Sequence, residues 1–274
     1  MKIVTFYDHV KDISEQENIT MHEALCLVKE MGVSHLEVSD NNLLGREKEL
    51  KDELDRAGLE ISSICSYFDF GRESEIGEKA FSILEAASLF NVKYILVIPG
   101  FFAENDTEEE KETQTCNMIS AVNKLKEETD KRGITLMLED YDNMIAPYAT
   151  IEGVERFMQG VPGLVCAFDT GNFLYSDQDE IEAFEKLKDR IGYMHLKDRT
   201  LTKPEVCGQE VISMAGRKLY SSAVGSGVVK MDEIVDNLKA DGYDGVYTIE
   251  LYGNAQTYVD MRKSVEWLKE KGIC

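Results

Sequence analysis

The sequence predicts an α/β fold, a single-domain (β/α)8 or TIM barrel over residues 1–274. A unit consisting of an amphipathic helix, a Gly or Asn stop and a short apolar run recurs along the chain. The apolar runs show little polar alternation, which is typical of parallel strands covered on both faces. Eight runs close naturally into a barrel, and no Gly-rich nucleotide loop follows the first run, which disfavours a doubly wound open sheet.

The predicted strands alternate with helices along the chain. They lie at about residues 2–6, 35–38, 59–65, 94–98, 134–139, 164–168, 191–196 and 246–250. Local signals mark the helices between them. Thr20 and Glu23 form a capping-box pattern, and four apolar residues spaced i, i+3, i+4, i+7 follow Lys230. Helix ends are predicted at residues that readily adopt the left-handed conformation: Gly32, Gly58, Asn91, Gly133 and Gly242.

The longest stretch without a regular pattern lies at about residues 199–227, after the seventh predicted strand. We predict an irregular loop there. A loop of this length inside a compact domain is usually functional or disordered. It leaves the carboxyl end of the barrel, where barrel enzymes carry their active sites, so it is a candidate part of the site.

The composition disfavours nucleic-acid and membrane-surface partners. Lys and Arg total 30 against 52 Asp and Glu, giving a net charge of −22 that repels phosphate groups. No apolar run approaches the ~20 residues of a membrane helix. The six scattered cysteines include no C-x-x-C pair and are interpreted as reduced core residues. We expect a soluble, cytoplasmic protein that acts on a small molecule, and a homo-oligomer is compatible with the sequence.

Four consecutive predicted strands end at a side chain that can bind a metal ion. The four residues are Glu139, Asp169, His195 and Glu250. A single acid at such a position is more often a cap or turn residue, but three buried carboxylates side by side are unfavourable without a neutralising cation. Three oxygen ligands and one imidazole favour one divalent ion, Mn²⁺ or Mg²⁺ first, with Co²⁺ or Zn²⁺ as alternatives.

In this order, these motifs resemble the xylose isomerase-like TIM barrel family of sugar phosphate isomerases and epimerases. The similarity extends over essentially the whole chain. It is most specific at Glu139 in LED, Asp169 in FDTGN, His195 in HLKD, GSG at 225–227 and the stretch ending in Glu250. The resemblance implies that Glu139, Asp169, His195 and Glu250 bind one divalent metal ion. It also implies that Glu139 and Glu250 double as the catalytic acid/base pair.

The resemblance implies a metal-dependent isomerase or epimerase of a small sugar, keto-sugar or polyol-like carbohydrate. In that chemistry the metal stabilises an enediolate while Glu139 and Glu250 move a proton from opposite faces. If a β-hydroxyl leaves instead, the alternative is a metal-dependent lyase, either an inosose-type dehydratase or an enzyme that cleaves a sugar conjugate. A third hypothesis is a non-catalytic sugar-binding barrel or complex subunit.

The chain departs from the family pattern near the expected substrate. Asn172 stands where sugar-acting members usually have His, and Ile145 and Leu201 stand where the 3-epimerases tend to have Glu and Arg. These differences weaken an assignment as a ketohexose 3-epimerase, although Arg199 or Arg217 are potential substitutes. Glu37 has two open interpretations, a residue at the barrel mouth or a structural hydrogen bond. Our candidate substrate-binding residues are Asn172, Lys197, Arg217, Tyr7, His9 and Tyr67.

Overall fold

Eight parallel strands form a closed barrel in the computed structural model, which describes residues 1–73 and 75–273. With two further strands outside the barrel, the strands in chain order are β1 (Lys2–Phe6), β2 (His35–Ser39), β3 (Glu60–Tyr67), β4 (Tyr94–Ile98), β5 (Thr135–Glu139), β6 (Val165–Asp169), β7 (Ile191–Thr200), β8 (Glu210–Ile212), β9 (Lys218–Ser222) and β10 (Val246–Glu250). The two outside the barrel are β8 and β9. Seven consecutive strands, β1 to β7, pair in sequence order, and β10 closes the barrel between β7 and β1. The predicted fold class is therefore confirmed.

Helices surround the barrel and connect its strands. They are α1 (Tyr7–Gln16), α2 (Met21–Met31), α3 (Asp40–Leu43), α4 (Glu47–Ala57), α5 (Glu78–Leu89), α6 (Glu108–Asp130), α7 (Ile151–Gly160), α8 (Glu180–Leu187), α9 (Met231–Ala240) and α10 (Thr257–Glu270). A short 3₁₀ turn, Lys188–Arg190, follows α8. The predicted capping box is present, because Thr20 and Glu23 bond each other's backbone N–H groups at the start of α2. The five predicted stop residues all have positive φ angles, from 53° at Asn91 to 117° at Gly32.

The stretch at 199–227 is not one irregular loop, which corrects our prediction. β7 continues to Thr200, and β8 and β9 form an antiparallel hairpin that extends the sheet beyond the barrel. The sequence signal for these two strands is weak, because β8 has only three residues and β9 has Lys218 and two serines among its five. Short strands at a sheet edge lack the apolar continuity of barrel strands. The consequence is a small, ordered sheet beside the barrel mouth.

The barrel interior below the carboxyl strand ends is partly polar. The Tyr193 hydroxyl lies 3.1 Å from Ser62 Oγ and 3.0 Å from Ser63 Oγ. Ser63 in turn donates to Glu37 Oε2 at 2.5 Å. All four side chains are buried, so these hydrogen bonds offset the cost of removing them from water. This network places the Glu37 carboxylate at a fixed position beneath the mouth.

Among the described residues, no helix is both long and apolar enough to cross a membrane. Five of the six cysteines lie in the described part of the chain, and all five are free. Cys65 and Cys166 are buried as expected, whereas Cys116 is exposed on α6, so not every cysteine belongs to the core. Cys274 lies outside the described residues.

The GSG motif at residues 225–227 forms a turn that packs closely against β7. The Asp198 carboxylate accepts the Gly227 N–H at 2.8 Å and the Val229 N–H at 3.3 Å, which fastens this turn to β7. A Cβ added at Gly227 would overlap both the Asp198 carboxylate and the Arg199 carbonyl oxygen. Gly227 is therefore required by packing.

We expect Gly227→Ala to lower the free energy of unfolding by about 1–3 kcal/mol, because the added methyl group forces β7 and the turn apart. Urea denaturation followed by circular dichroism measures this. Gly77→Ala is the matched control, since a Cβ there meets nothing within 4 Å. Equal losses in the two variants would contradict the packing explanation.

Candidate metal centre and substrate cavity

Four chemically active side chains converge at the carboxyl end of the barrel. Glu139, Asp169 and Glu250 are the last residues of β5, β6 and β10, while His195 lies within β7 directly opposite Asp169 in the strand register. One nitrogen or oxygen atom from each residue lies within 4.8 Å of the corresponding atoms of the other three. All four side chains are buried. The strand order of the barrel thus assembles the set that the sequence predicts.

Asp169 has two different carboxylate oxygens. Oδ1 accepts the backbone N–H groups of Gly171 and Asn172 at 2.7 and 2.8 Å, so it stabilises the turn after β6. Oδ2 is buried without a hydrogen-bond partner among the described residues, although Lys197 Nζ lies 3.6 Å away. Asp169 therefore fulfils its turn role with one oxygen and leaves the other available as a ligand.

His195 is held between carboxylates on both sides of its ring. Nδ1 lies 2.5 Å from Glu139 Oε1 and 3.5 Å from Glu250 Oε2, and Nε2 lies 3.2 Å from Glu37 Oε2. The Glu37 carboxylate accepts the Nε2 proton, so the ring is oriented with Nδ1 toward the cluster, where a divalent ion would replace the proton that Nδ1 shares with Glu139. Of the two interpretations of Glu37, the structural hydrogen bond is the one observed, and it fixes the orientation of a candidate ligand.

The electrostatics of the cluster fit a cation. Burial raises the pKa of Glu139 and of Asp169 above their ordinary values, because neither carboxylate is solvated. Burial would lower the pKa of His195, but Glu139 and Glu37 raise it well above the usual range. A buried carboxylate is unfavourable as an anion unless a positive charge neutralises it. A divalent ion supplies that charge, so these carboxylates are good ligands for one. The orphaned Asp169 oxygen and this donor set are compatible with one hard divalent cation.

Lys197 lies beside the cluster and is held by Asn172. Its ammonium nitrogen is 2.5 Å from Glu250 Oε1 and donates to Asn172 Oδ1 at 2.6 Å. Asn172 Nδ2 donates to the Asp140 carbonyl oxygen at 2.8 Å. Burial would lower the pKa of Lys197, but the surrounding carboxylates, Asp142 first, raise it well above its usual value. Asn172 thus positions a cationic side chain at the cavity.

We expect Asn172→Ala to lower the free energy of unfolding by about 1–3 kcal/mol, because it removes one acceptor of the buried Lys197 ammonium and the side-chain donor to the Asp140 carbonyl oxygen. Chemical denaturation of both proteins measures the difference. Asn41→Ala, at an exposed position on α3, is the control and should change stability by less than about 0.5 kcal/mol. A loss no larger than the control's would contradict this role.

A cavity of about 460 Å³ opens above the cluster. Glu139, Asn172, Lys197 and Glu250 contribute its polar side, with Asp142 and Arg199 next to them. Five aromatic residues also line it, namely Phe6, Tyr67, Tyr141, Tyr175 and Tyr252. The β8 strand also borders this space, so the hairpin contributes to the cavity wall. The structure therefore brings Asn172, Lys197 and Tyr67 to the cavity, as the sequence predicts.

Tyr7 and His9 do not line this cavity, which corrects their placement as substrate contacts. The Tyr7 hydroxyl donates to Glu53 on α4 at 3.0 Å. His9 is fully buried and accepts the Leu251 N–H at Nε2, at 2.8 Å. The cause is that α1 begins directly at Tyr7, so the helix directs these two side chains away from this cavity, toward α4 and the segment after β10. Both residues connect α1 to its neighbours.

Arg217 also lies elsewhere: it is in the turn between β8 and β9, and its Nε donates to Asp177 Oδ1 at 2.8 Å. Arg199 takes the place at the cavity that Arg217 was predicted to share, and its Nη2 donates to Asp142 at 2.8 Å. Tyr252 was not predicted. It lies in the turn that follows β10, where no regular alternation of side chains marks it in the sequence.

Comparisons with known proteins are consistent with this site. A family model for xylose isomerase-like TIM barrels matches residues 25–271. The inosose dehydratase of Bacillus licheniformis is 26% identical over 208 residues, which cover 73% of this chain and 64% of that protein. The chain spans only 45% to 64% of the length of the curated relatives that it matches.

Two solved structures share the fold at low identity. The 3-keto-D-glucoside 4-epimerase from E. coli, in its apo form, has 19% identity and a TM-score of 0.69 over 98% of this chain and 99% of that one. A xylose isomerase-like TIM barrel protein from Mycobacterium smegmatis in complex with magnesium has 19% identity and a TM-score of 0.68, over 91% and 87% of the two chains.

Proposed function

We propose that this chain, which belongs to the xylose isomerase-like TIM barrel family, is a divalent-metal-dependent isomerase or epimerase of a small sugar, keto-sugar or polyol-like substrate. The observation that carries the proposal is the buried cluster of Glu139, Asp169, His195 and Glu250 at a cavity lined by both polar and aromatic side chains. Such a cavity suits a ligand that combines hydroxyl groups with C–H surface.

Glu139, Asp169, His195 and Glu250 would hold the ion, through Nδ1 in the case of His195 and through the unpartnered Oδ2 in the case of Asp169. Mn²⁺ or Mg²⁺ suits three carboxylates and one imidazole best, with Co²⁺ or Zn²⁺ as alternatives. When bound, the ion supplies Lewis acidity that polarises a substrate carbonyl and stabilises negative charge on its oxygen. Glu37 contributes by holding the His195 ring through Nε2.

Glu139 and Glu250 are the proposed proton carriers. They end strands separated in the barrel by β6 and β7, so their carboxylates reach the cavity from different sides. One takes the proton of a substrate C–H beside the carbonyl, and the other delivers a proton to the opposite face or to the neighbouring carbon. The first outcome is epimerisation and the second is isomerisation. Lys197, next to Glu250, donates hydrogen bonds to a substrate oxygen.

A dehydratase is the second candidate, and two observations favour it. The curated relatives that match this chain are inosose dehydratases. In addition, Lys197 presents a buried ammonium group at the cavity, 2.5 Å from Glu250. In this reaction one glutamate removes the C–H proton, the other donates a proton to the β-hydroxyl while Lys197 hydrogen-bonds the same oxygen, and water leaves as the C–O bond breaks. The same residues thus serve either reaction, depending on the substrate.

The test is turnover of keto-sugars, their glycosides, ketoses and inososes by Mg²⁺- or Mn²⁺-loaded protein in D₂O. An isomerase or epimerase gives an isomeric product that carries deuterium on carbon, whereas a dehydratase gives a product that has lost water. Mass spectrometry and NMR distinguish the two. Turnover that continues undiminished after chelation would contradict the metal requirement, and lack of turnover across the panel would favour a sugar-binding barrel.

A further inference from the structure

A second cavity of about 360 Å³ lies beside the first at the barrel mouth. It covers the carboxyl ends of β1, β2 and β3, whereas the first covers β4 to β7 and β10. The two cavities share four boundary residues, Phe6, Cys65, Tyr67 and Tyr252. A ligand that crosses this boundary would therefore extend from the candidate metal centre over the ends of the first three strands.

The second cavity has its own polar network. Asn42 is only 8% exposed, and its Nδ2 donates to Asp8 Oδ1 at 2.9 Å and to Ser39 Oγ at 2.8 Å. Lys11 Nζ donates to Asp8 Oδ1 at 3.4 Å and to Asn42 Oδ1 at 3.3 Å. These bonds fix the four side chains but do not use every donor and acceptor of the charged groups. The network therefore has capacity to bond a ligand.

The boundary between the cavities is aromatic and held in place. Tyr67 and Tyr252 keep 38% and 43% of their surface exposed. The Tyr252 ring lies 5.2 Å from the Phe6 ring and 4.6 Å from the His9 ring, measured between centroids. The Tyr67 N–H donates to the Asp40 carboxylate at 3.0 Å. Exposed aromatic surface held by its neighbours offers contact area at little cost in conformational entropy.

We propose that the second cavity is a subsite for an additional sugar ring, so that the substrate is a glycoside and not a free monosaccharide. This inference rests on the proposed function for its reacting sugar, which lies in the first cavity. The second ring packs its C–H face on Tyr67 and Tyr252 and exchanges hydrogen bonds with Asp8, Lys11 and Asn42.

The chemistry of the network selects this occupant. A sugar hydroxyl both donates and accepts, so it matches a carboxylate, an amide and an ammonium group in one cavity. A phosphate group would meet the Asp8 carboxylate, which repels it. A purely aromatic group would use the tyrosines but leave Asn42, 8% exposed, and its polar partners unused. A second pyranose ring uses both surfaces.

The experiment is calorimetric titration of the full chain loaded with Mg²⁺. The ligands are methyl β-D-glucoside, the disaccharides cellobiose and maltose, and phenyl β-D-glucoside. We expect wild-type protein to bind at least one disaccharide about tenfold or more tightly than the methyl glucoside. Asn42→Ala and Lys11→Ala should each reduce this ratio roughly 3- to 10-fold, the effect of one lost hydrogen bond.

Lys48→Ala, which removes the same charge as Lys11→Ala from an exposed position on α4, should leave the ratio unchanged. Because Lys11 is 45% exposed, its variant tests the subsite even if Asn42→Ala does not fold. The proposal is overturned if wild-type protein binds the disaccharides and the methyl glucoside with equal affinity, or if the preference for a disaccharide survives both Asn42→Ala and Lys11→Ala. It is also overturned if the phenyl glucoside binds more tightly than the disaccharides, or if no sugar binds.

Binding and turnover separate this proposal from the proposed function. A disaccharide preference without turnover of any glycoside would support the subsite and overturn the isomerase or epimerase assignment. Turnover of monosaccharides by a protein with no disaccharide preference would support the assignment and overturn the subsite.

Discussion

Glu139→Gln is expected to lower kcat by about 10²- to 10⁴-fold, the usual contribution of a positioned acid or base. Gln has nearly the same shape as Glu and keeps a carbonyl oxygen near His195 Nδ1, which lies 2.5 Å from Glu139 Oε1. The amide cannot carry a proton, so the chemical step loses one of its two carriers. Steady-state kinetics at saturating metal ion measures the effect, with metal affinity determined separately.

The control for Glu139→Gln is Glu266→Gln, an exposed position on α10 that pairs with Arg262. It makes the same chemical change away from the barrel mouth and should leave kcat unchanged. Glu250→Gln should lower kcat by a similar factor, and the double variant should lose much less than the product of the two, because the residues act as one unit. Wild-type kcat in Glu139→Gln at full metal occupancy would show that Glu139 is no proton carrier.

The barrel and the four clustered residues could be predicted because each has a local signal that the fold converts into a shared position. Parallel strands read as continuous apolar runs, and each strand end projects to the same face. Glu139, Asp169 and Glu250 are therefore placed together once the strands are recognised. These side chains lie at the same level along the barrel axis because of the fold, and the sequence of a single strand cannot show this.

Contacts between distant elements could not be predicted in this way. The approach of Glu37 to His195, at 3.2 Å across the barrel, depends on strands far apart in the sequence and on the barrel radius. Similarly, His9 follows β1 directly and appears suited to the mouth, but α1 begins at Tyr7 and directs His9 toward Leu251. If the helix began one or two residues earlier or later, the side chain would point in a different direction. Sequence patterns do not locate helix ends to within one or two residues.

Adding Mg²⁺ or Mn²⁺ to metal-free protein is expected to raise Tm by about 5–10 °C at roughly 100 times the dissociation constant, since ligand binding to the folded state alone adds about 2.7 kcal/mol of stability. The physical cause is the buried cluster, in which Asp169 Oδ2 has no hydrogen-bond partner among the described residues. Differential scanning fluorimetry across a metal titration measures the shift. Its readout is independent of substrate and activity.

Asp169→Asn removes the negative charge of this side chain while keeping its hydrogen bonds to the turn after β6. The Asn side-chain oxygen can still accept the N–H groups of Gly171 and Asn172, which Asp169 Oδ1 binds at 2.7 and 2.8 Å. The variant therefore keeps the turn after β6 but loses one negative ligand, so its metal-free Tm should equal or exceed that of wild type while the metal-dependent shift disappears at the same ion concentration. Asp52→Asn, an exposed change on α4, should retain the full shift. An undiminished shift in Asp169→Asn would place the ion outside the cluster of Glu139, Asp169, His195 and Glu250, because a divalent ion at that cluster cannot lose an anionic ligand without a loss of affinity.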